Sequence, residues 1–155
     1  MKRRTVLASG LLAGLPAARA HHGWDSFDQS RPLYLEGRVA RVSWRHPHAE
    51  LDLELHADLK LPAGLAARKP PAQNVPLDGV ALLKTARLPT RRDRLWHVEL
   101  APLTRMDAWK VAPIPLGQEL AVLGYSGTGE KGDALLRAEY LFIGDKVYAM
   151  RSPPA

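Results

Sequence analysis

The chain has 155 residues, with 22 Lys and Arg against 16 Asp and Glu, six histidines and no cysteine. The lack of thiols excludes a disulfide framework, a thiolate metal site and cysteine catalysis. The formal charge of +6 is not a nucleic-acid signature, because Lys2, Arg3, Arg4 and Arg19 supply four of the basic residues within the first twenty positions.

Those twenty positions read as an export signal. Lys2, Arg3 and Arg4 form a positive start. Val6 to Ala17 is an apolar run interrupted by Ser9, Gly10, Gly14 and Pro16, too short and too weakly apolar for a permanent membrane span. Ala18-Arg19-Ala20 is a small-x-small cleavage site. In this order they predict a secretory signal peptide over residues 1–20, the alternative being a short N-terminal helix. Arg3-Arg4-Thr5-Val6-Leu7 also resembles a twin-arginine signal, but Lys2 stands where Ser or Thr is usual and no Lys follows Leu7. Both the Sec and the twin-arginine routes therefore stay open. Cleavage would leave residues 21–155 as a single periplasmic domain with a charge near +2, counted from the eighteen basic and sixteen acidic residues that remain.

The elements follow in chain order. Leu33 to Trp44 is a strand whose apolar parity switches from Leu33, Leu35 and Val39 to Val42 and Trp44. A bulge near Ala40-Arg41 explains the switch, since one extra residue flips the facing. Ala49 to Leu55 alternates cleanly, with Ala49, Leu51, Leu53 and Leu55 inward and His48, Glu50, Asp52, Glu54 and His56 on the wet face. Residues 57–93, with five prolines, read as a long insertion holding a short helix from Val80 to Ala86 capped by Asp78. With no catalytic spacing in it, the insertion is expected to lie outside the fold and to be dispensable: deletion of 62–88 should leave a cooperative domain. Arg94 to Leu100 is the third strand, with Trp96, Val98 and Leu100 inward and His97 and Glu99 outward. Leu103 to Trp109 is a short helix, with Thr104 as a candidate cap. Glu119 to Tyr125 is a strand apolar on both faces, and Leu135 to Ile143 is the fifth. A turn at Gly144-Asp145 leads into a last ribbon, Lys146 to Arg151. This order predicts an all-β fold: a small five-stranded OB-like antiparallel barrel, with a short helix between strands three and four and the insertion between strands two and three. A β-sandwich is the alternative.

Several segments carry a family likeness: His21-His22-Gly23-Trp24 followed by Phe27-Asp28, then Leu35-Glu36-Gly37-Arg38-Val39, then Trp44-Arg45-His46-Pro47-His48-Ala49. Trp96 to Glu99, Arg105-Met106 and Leu136 to Glu139 complete it. On these the chain resembles domain-of-unknown-function family 6152, small exported bacterial proteins. The departure is His46, where that family usually has Asn. The resemblance implies an exported all-β domain in which the His-His start and the Pro-His motif travel together; it supplies no activity.

Cleavage after Ala20 would give His21 an α-amine beside its own imidazole. The amine titrates near pH ~8 and deprotonates for a metal far more readily than a lysine. With one distant imidazole it makes a three-nitrogen set that suits Cu(II) and resembles the histidine brace of exported copper proteins. The candidate ligands, in order, are His21 with His48, then His22 and His46; Asp25 and Asp28 are candidate outer partners of a ligating histidine. The plain alternative is a frayed terminus and a Pro-His turn. The row Glu50, Asp52, Glu54, His56, His97 and Glu99 reads as a solvated strand face. Trp24, Trp44, Trp96 and Trp109 read as core, with Trp24 pinning the N-terminus to the barrel. No triad, phosphate loop or dinucleotide fingerprint is present.

These residues predict an exported copper-binding protein, a carrier or buffer rather than an enzyme, with copper as cofactor. Its expected partners are the metal ion and another periplasmic protein, with no nucleic acid and no membrane anchor after processing. Two rivals are a metal-independent interaction module using the barrel mouth and a small copper oxidase.

Overall fold

The computed structural model describes residues 23–155. Six strands form one sheet: β1 (Leu33–Trp44), β2 (Ala49–Leu55), β3 (Leu95–Glu99), β4 (Glu119–Tyr125), β5 (Leu135–Ile143) and β6 (Lys146–Ala149). Two short helices lie between them, α1 (Gly79–Thr85) and α2 (Leu103–Ala108). The strand order is β3-β2-β1-β4-β5-β6, and β3 also pairs with β5. The first five strands thus close a barrel and β6 lies outside it. The architecture is the OB-like barrel expected from strand order, not a sandwich.

One pair differs from the expected all-antiparallel barrel. Strand β3 pairs with β5 in parallel. The reason is the crossover through α2, which carries the chain from β3 to β4 on the far side of β1. Antiparallel pairing of β1 with β4 and of β4 with β5 then makes β5 run in the direction of β3.

The bulge in β1 is where the parity switch demands it: the register to β2 shifts between Val39 and Arg41. A second shift falls in β4 between Leu123 and Gly124. Gly124 is required there, because a Cβ would collide with the Arg137 carbonyl on β5. Gly37 is held in the same way against the backbone of Glu54.

Inside the barrel, Leu35, Leu53, Trp96, Val98, Met106, Val122, Leu136 and Leu141 form the main core. Trp96 is fully buried, and its indole N–H donates to the Asp93 carbonyl at 3.0 Å. Helix α2 closes the barrel end with Met106. Its N-cap is Pro102 without a side-chain bond, so Thr104 does not cap it.

The 57–93 segment does not stand clear of the barrel but packs on it. Leu65, Leu83 and Ala86 pack with Tyr34, Ala121, Leu123, Tyr140, Phe142 and Ala149 in a second buried cluster. This is why β4 is apolar on both faces: Leu120 and Val122 point into the barrel, Ala121 and Leu123 into the second cluster. Helix α1 is capped by Asp78, whose carboxylate accepts from the Ala81 N–H at 2.9 Å. Further along, Gln73 accepts from the Ser152 N–H at 3.1 Å, and Val75 N–H donates to Ser152 Oγ at 2.9 Å. The segment is thereby tied to the C-terminal tail. Tyr140 shares this cover, and burial with the nearby Glu139 charge pushes its hydroxyl up to about 12.

Candidate functional site

Where β2, β3 and the start of β5 meet, the outward side chains of the barrel wall are polar. Register places Glu50 opposite Glu99 and Glu99 beside Arg137. The three side chains form one row across three strands. Glu99 was expected in water; it is buried and accepts from Arg137 Nη1 at 2.9 Å. Strand alternation predicts its outward parity, but only the neighbouring β5 supplies the guanidinium that makes its burial tolerable.

Two residues farther along β2, Asp52 joins a second knot. It accepts from Arg41 Nε at 2.6 Å and Nη2 at 3.0 Å, and stands 2.8 Å from His97 Nδ1. Burial alone would raise the Asp52 carboxyl, but the bonds from Arg41 and His97 hold it below its ordinary value. His97 Nε2 faces Glu50 at 3.5 Å. His97 is therefore a linker between carboxylates. His56 pairs instead with Glu119 at 3.1 Å.

The N-terminal end of the described chain docks on the same face. Trp24 belongs to a short 3-10 turn, Trp24–Ser26. Its ring lies under the Arg151 guanidinium at 3.9 Å and the Arg137 guanidinium at 5.1 Å, with Tyr125 edge-on at 6.3 Å. Gln29 Nε2 donates to the Trp24 carbonyl at 3.2 Å, and Arg151 donates to Gln29 Oε1 at 2.9 Å. Glu139 holds Arg151 in place at 2.7 Å. Trp24 is thus a half-buried clamp on the outer wall and not a core residue, while Trp96 is core and Trp44 and Trp109 pack at its margin. Cation–π contacts of this kind contribute roughly 0.5–2 kcal/mol each.

His48 immediately precedes β2, with the parity of Glu50 and Asp52, and is half-buried. His46 is exposed, and residues 46–47 form a bend, so the extended chain that would align His46 with His48 is not present. His21 and His22 lie outside the described residues. Asp25 is exposed on the 3-10 turn. The Asp28 carboxylate accepts from the Ser30 N–H at 3.1 Å and fixes the following turn. Among the described residues no group of three or more His, Asp or Glu is arranged to hold a metal ion.

Sequence reading missed two members of this region, Arg105 and Arg137. Arg105 donates to the Met150 carbonyl at 2.8 Å from α2. Burial lowers its pKa, and the nearby charge of Arg137 lowers it further. Both arginines lie in segments quoted for the family likeness, Arg105-Met106 and Leu136–Glu139, which was the available signal.

The fold and this wall define an OB-like barrel with a polar site on its outer face, assembled from Trp24, the start of β2, the end of β3, α2 and β5. The pattern of a family of unknown function (DUF6152) matches residues 10–60. That stretch holds Trp24 and His48 but ends before Glu99, Arg105 and Arg137. No curated protein and no solved structure matches the chain.

Proposed function

We propose that the protein is exported to the periplasm, is cleaved after Ala20, and binds Cu(II) there as a carrier or buffer. The donors are the His21 α-amine, the His21 imidazole and the His48 imidazole. One observation supports this above the others: the Trp24 clamp holds the chain that follows His21-His22 to the face that carries His48. From the Arg137 row to β2 is two strand spacings, about 10 Å. The three residues before Trp24 span about 10 Å when extended. Copper fits a set of imidazole and amine nitrogens without thiolates. Because the described residues alone hold no metal cluster, the reading depends on the terminal donors.

The test is a Cu(II) competition titration on the chain beginning at His21, on the same chain with one Ala before His21, and on His21→Ala, His48→Ala and His97→Ala. The extended form, His21→Ala and His48→Ala should each lose more than the roughly 10–100-fold in affinity that loss of an outer partner typically costs. His97→Ala should bind as the parent does. Equal binding by the extended form and His48→Ala would overturn the copper reading and leave a metal-independent interaction module.

A further inference from the structure

The 57–93 segment leaves and rejoins the barrel at one end, where β2 stops at Leu55 and β3 begins at Leu95. A cleft of about 370 Å³ opens there between residues 55–59 and 88–94. A second, of about 280 Å³, adjoins it through Leu55, His56 and Arg94 and reaches Arg38 on β1 and Glu119 on β4. The apolar part of the lining is Leu55, Leu59, Leu88 and Pro89, the first buried and the others half-buried. The charged part is four arginines (Arg38, Arg91, Arg92 and Arg94) and His56 against three carboxylates (Glu54, Asp93 and Glu119).

The cations differ in how far they are already engaged. Arg91 is fixed: its Nε donates to Asp93 at 2.7 Å, and its Nη1 to the carbonyls of Glu130 and Gly132 at 2.9 and 3.0 Å. Arg94 donates Nη2 to the Leu55 carbonyl at 3.0 Å and stands 3.6 Å from Glu54, and its Nε and Nη1 make no hydrogen bond among the described residues. The Arg92 side chain is exposed and has no hydrogen bond or ion pair among the described residues. Arg38 and His56 share one exposed carboxylate, Glu119, at 3.2 and 3.1 Å. Exposed pairs of this kind contribute little and exchange readily for another carboxylate.

We propose that these adjoining clefts dock an extended acidic segment of a partner protein, with aliphatic side chains between its carboxylates. Arg92 and Arg94 present guanidinium donors that match a carboxylate, and the leucines and Pro89 between the charged groups receive the aliphatic side chains. Glu54, Asp93 and Glu119 interrupt the cationic lining, so a densely charged polyanion meets repulsion where a sparsely acidic segment does not. No Phe, Tyr or Trp lines either cleft, so nucleic-acid bases have no ring to stack on. The docking surface is roughly 20 Å along β2 from His48. It does not depend on copper.

The experiment titrates the full-length chain, with chelator present and at constant ionic strength, with a blocked hexapeptide of alternating glutamate and leucine. Parallel arms use the glutamine–leucine peptide, hexaglutamate and oligothymidylate. Saturable binding of the glutamate–leucine peptide is expected, with backbone amide shifts centred on residues 54–59 and 88–94 and much weaker binding in the other three arms. Arg92→Glu and Arg94→Glu should each weaken binding roughly tenfold, since each replaces an attraction by a repulsion at close range. Arg45→Glu, an exposed position at the other end of β2, should bind as the parent does. If Arg94→Glu does not fold, Arg92→Glu, which removes no contact, still decides the matter. Three results would each overturn the proposal: no saturable binding of the glutamate–leucine peptide, equal binding by any of the other ligands, or equal weakening by Arg45→Glu. Failure here leaves the copper titration untouched, and failure of the copper titration leaves this one untouched.

Discussion

Two parts of the same barrel wall meet different fates. The outer side of β1, β4 and the end of β5 is sealed by the 57–93 segment, with Leu65, Leu83 and Ala86 laid on Leu123, Tyr140 and Phe142. The outer side of β2, β3 and the start of β5 is left to polar side chains. Strand β5 crosses from one regime to the other. Arg137 and Glu139 take part in ion pairs, whereas Tyr140 and Phe142, a few residues later, are buried in the second cluster. The bulge beside Gly124 sits at this boundary. The difference shows two ways for a small barrel to close its wall: apolar cover seals one half, and on the other half the buried Glu99 and Glu139 are matched by the guanidinium groups of Arg137 and Arg151.

The largest expected effect breaks the covered half. Replacing residues 62–88 by a short flexible linker should abolish cooperative unfolding, because it bares an apolar surface that water cannot accommodate. Denaturant unfolding followed by tryptophan fluorescence would show it; a sharp transition of unchanged midpoint would mean that the segment is a passive insertion after all.

A smaller but still substantial effect belongs to the polar half. Glu99→Ala strands the Arg137 guanidinium, and removing one partner of a buried pair costs about 3–5 kcal/mol. Glu54→Ala, on the same strand face but exposed, should stay within about 0.5 kcal/mol. Urea midpoints of the two variants provide the check. Similar values would mean that the wall is merely a solvated face.

The smallest effect concerns the joint between the halves. Glu130, in the β4–β5 loop, accepts from the Thr90 N–H at 2.9 Å and the Arg91 N–H at 3.1 Å, and pairs with Arg31. Burial would raise its carboxyl, but these donors hold it below its ordinary value of 4.5. A depressed carboxylate pKa contributes stability that is complete above that value and is lost as pH falls through the lowered one. Stability measured between pH 7 and pH 3 should therefore fall at the acid end, and Glu130→Gln should flatten that part of the slope while lowering stability at pH 7. An unchanged acid slope in Glu130→Gln would assign the acid sensitivity to other carboxylates held below their ordinary value, Asp52 and Asp93.

Local pattern carried much of the fold. Alternation marks β1, β2 and β3, because a strand with one face on a core repeats every two residues whatever surrounds it. The parity switch at Ala40-Arg41 reveals the bulge for the same reason. Asp78 announces α1 through its own side-chain chemistry. The site was legible in part: Trp24 and His48 stood out in motifs, and their parity and spacing could be read from the chain. Three things were decided by tertiary structure alone. The parallel closure of β3 on β5 depends on which side of β1 the chain passes. The sealing role of residues 57–93 rests on contacts between positions far apart in sequence, such as Leu83 with Tyr140 and Phe142. The burial of Glu99 depends on which charge a neighbouring strand brings within reach. A carboxylate or a guanidinium has the same local pattern in water as in a pair, so its environment is settled only when the strands meet.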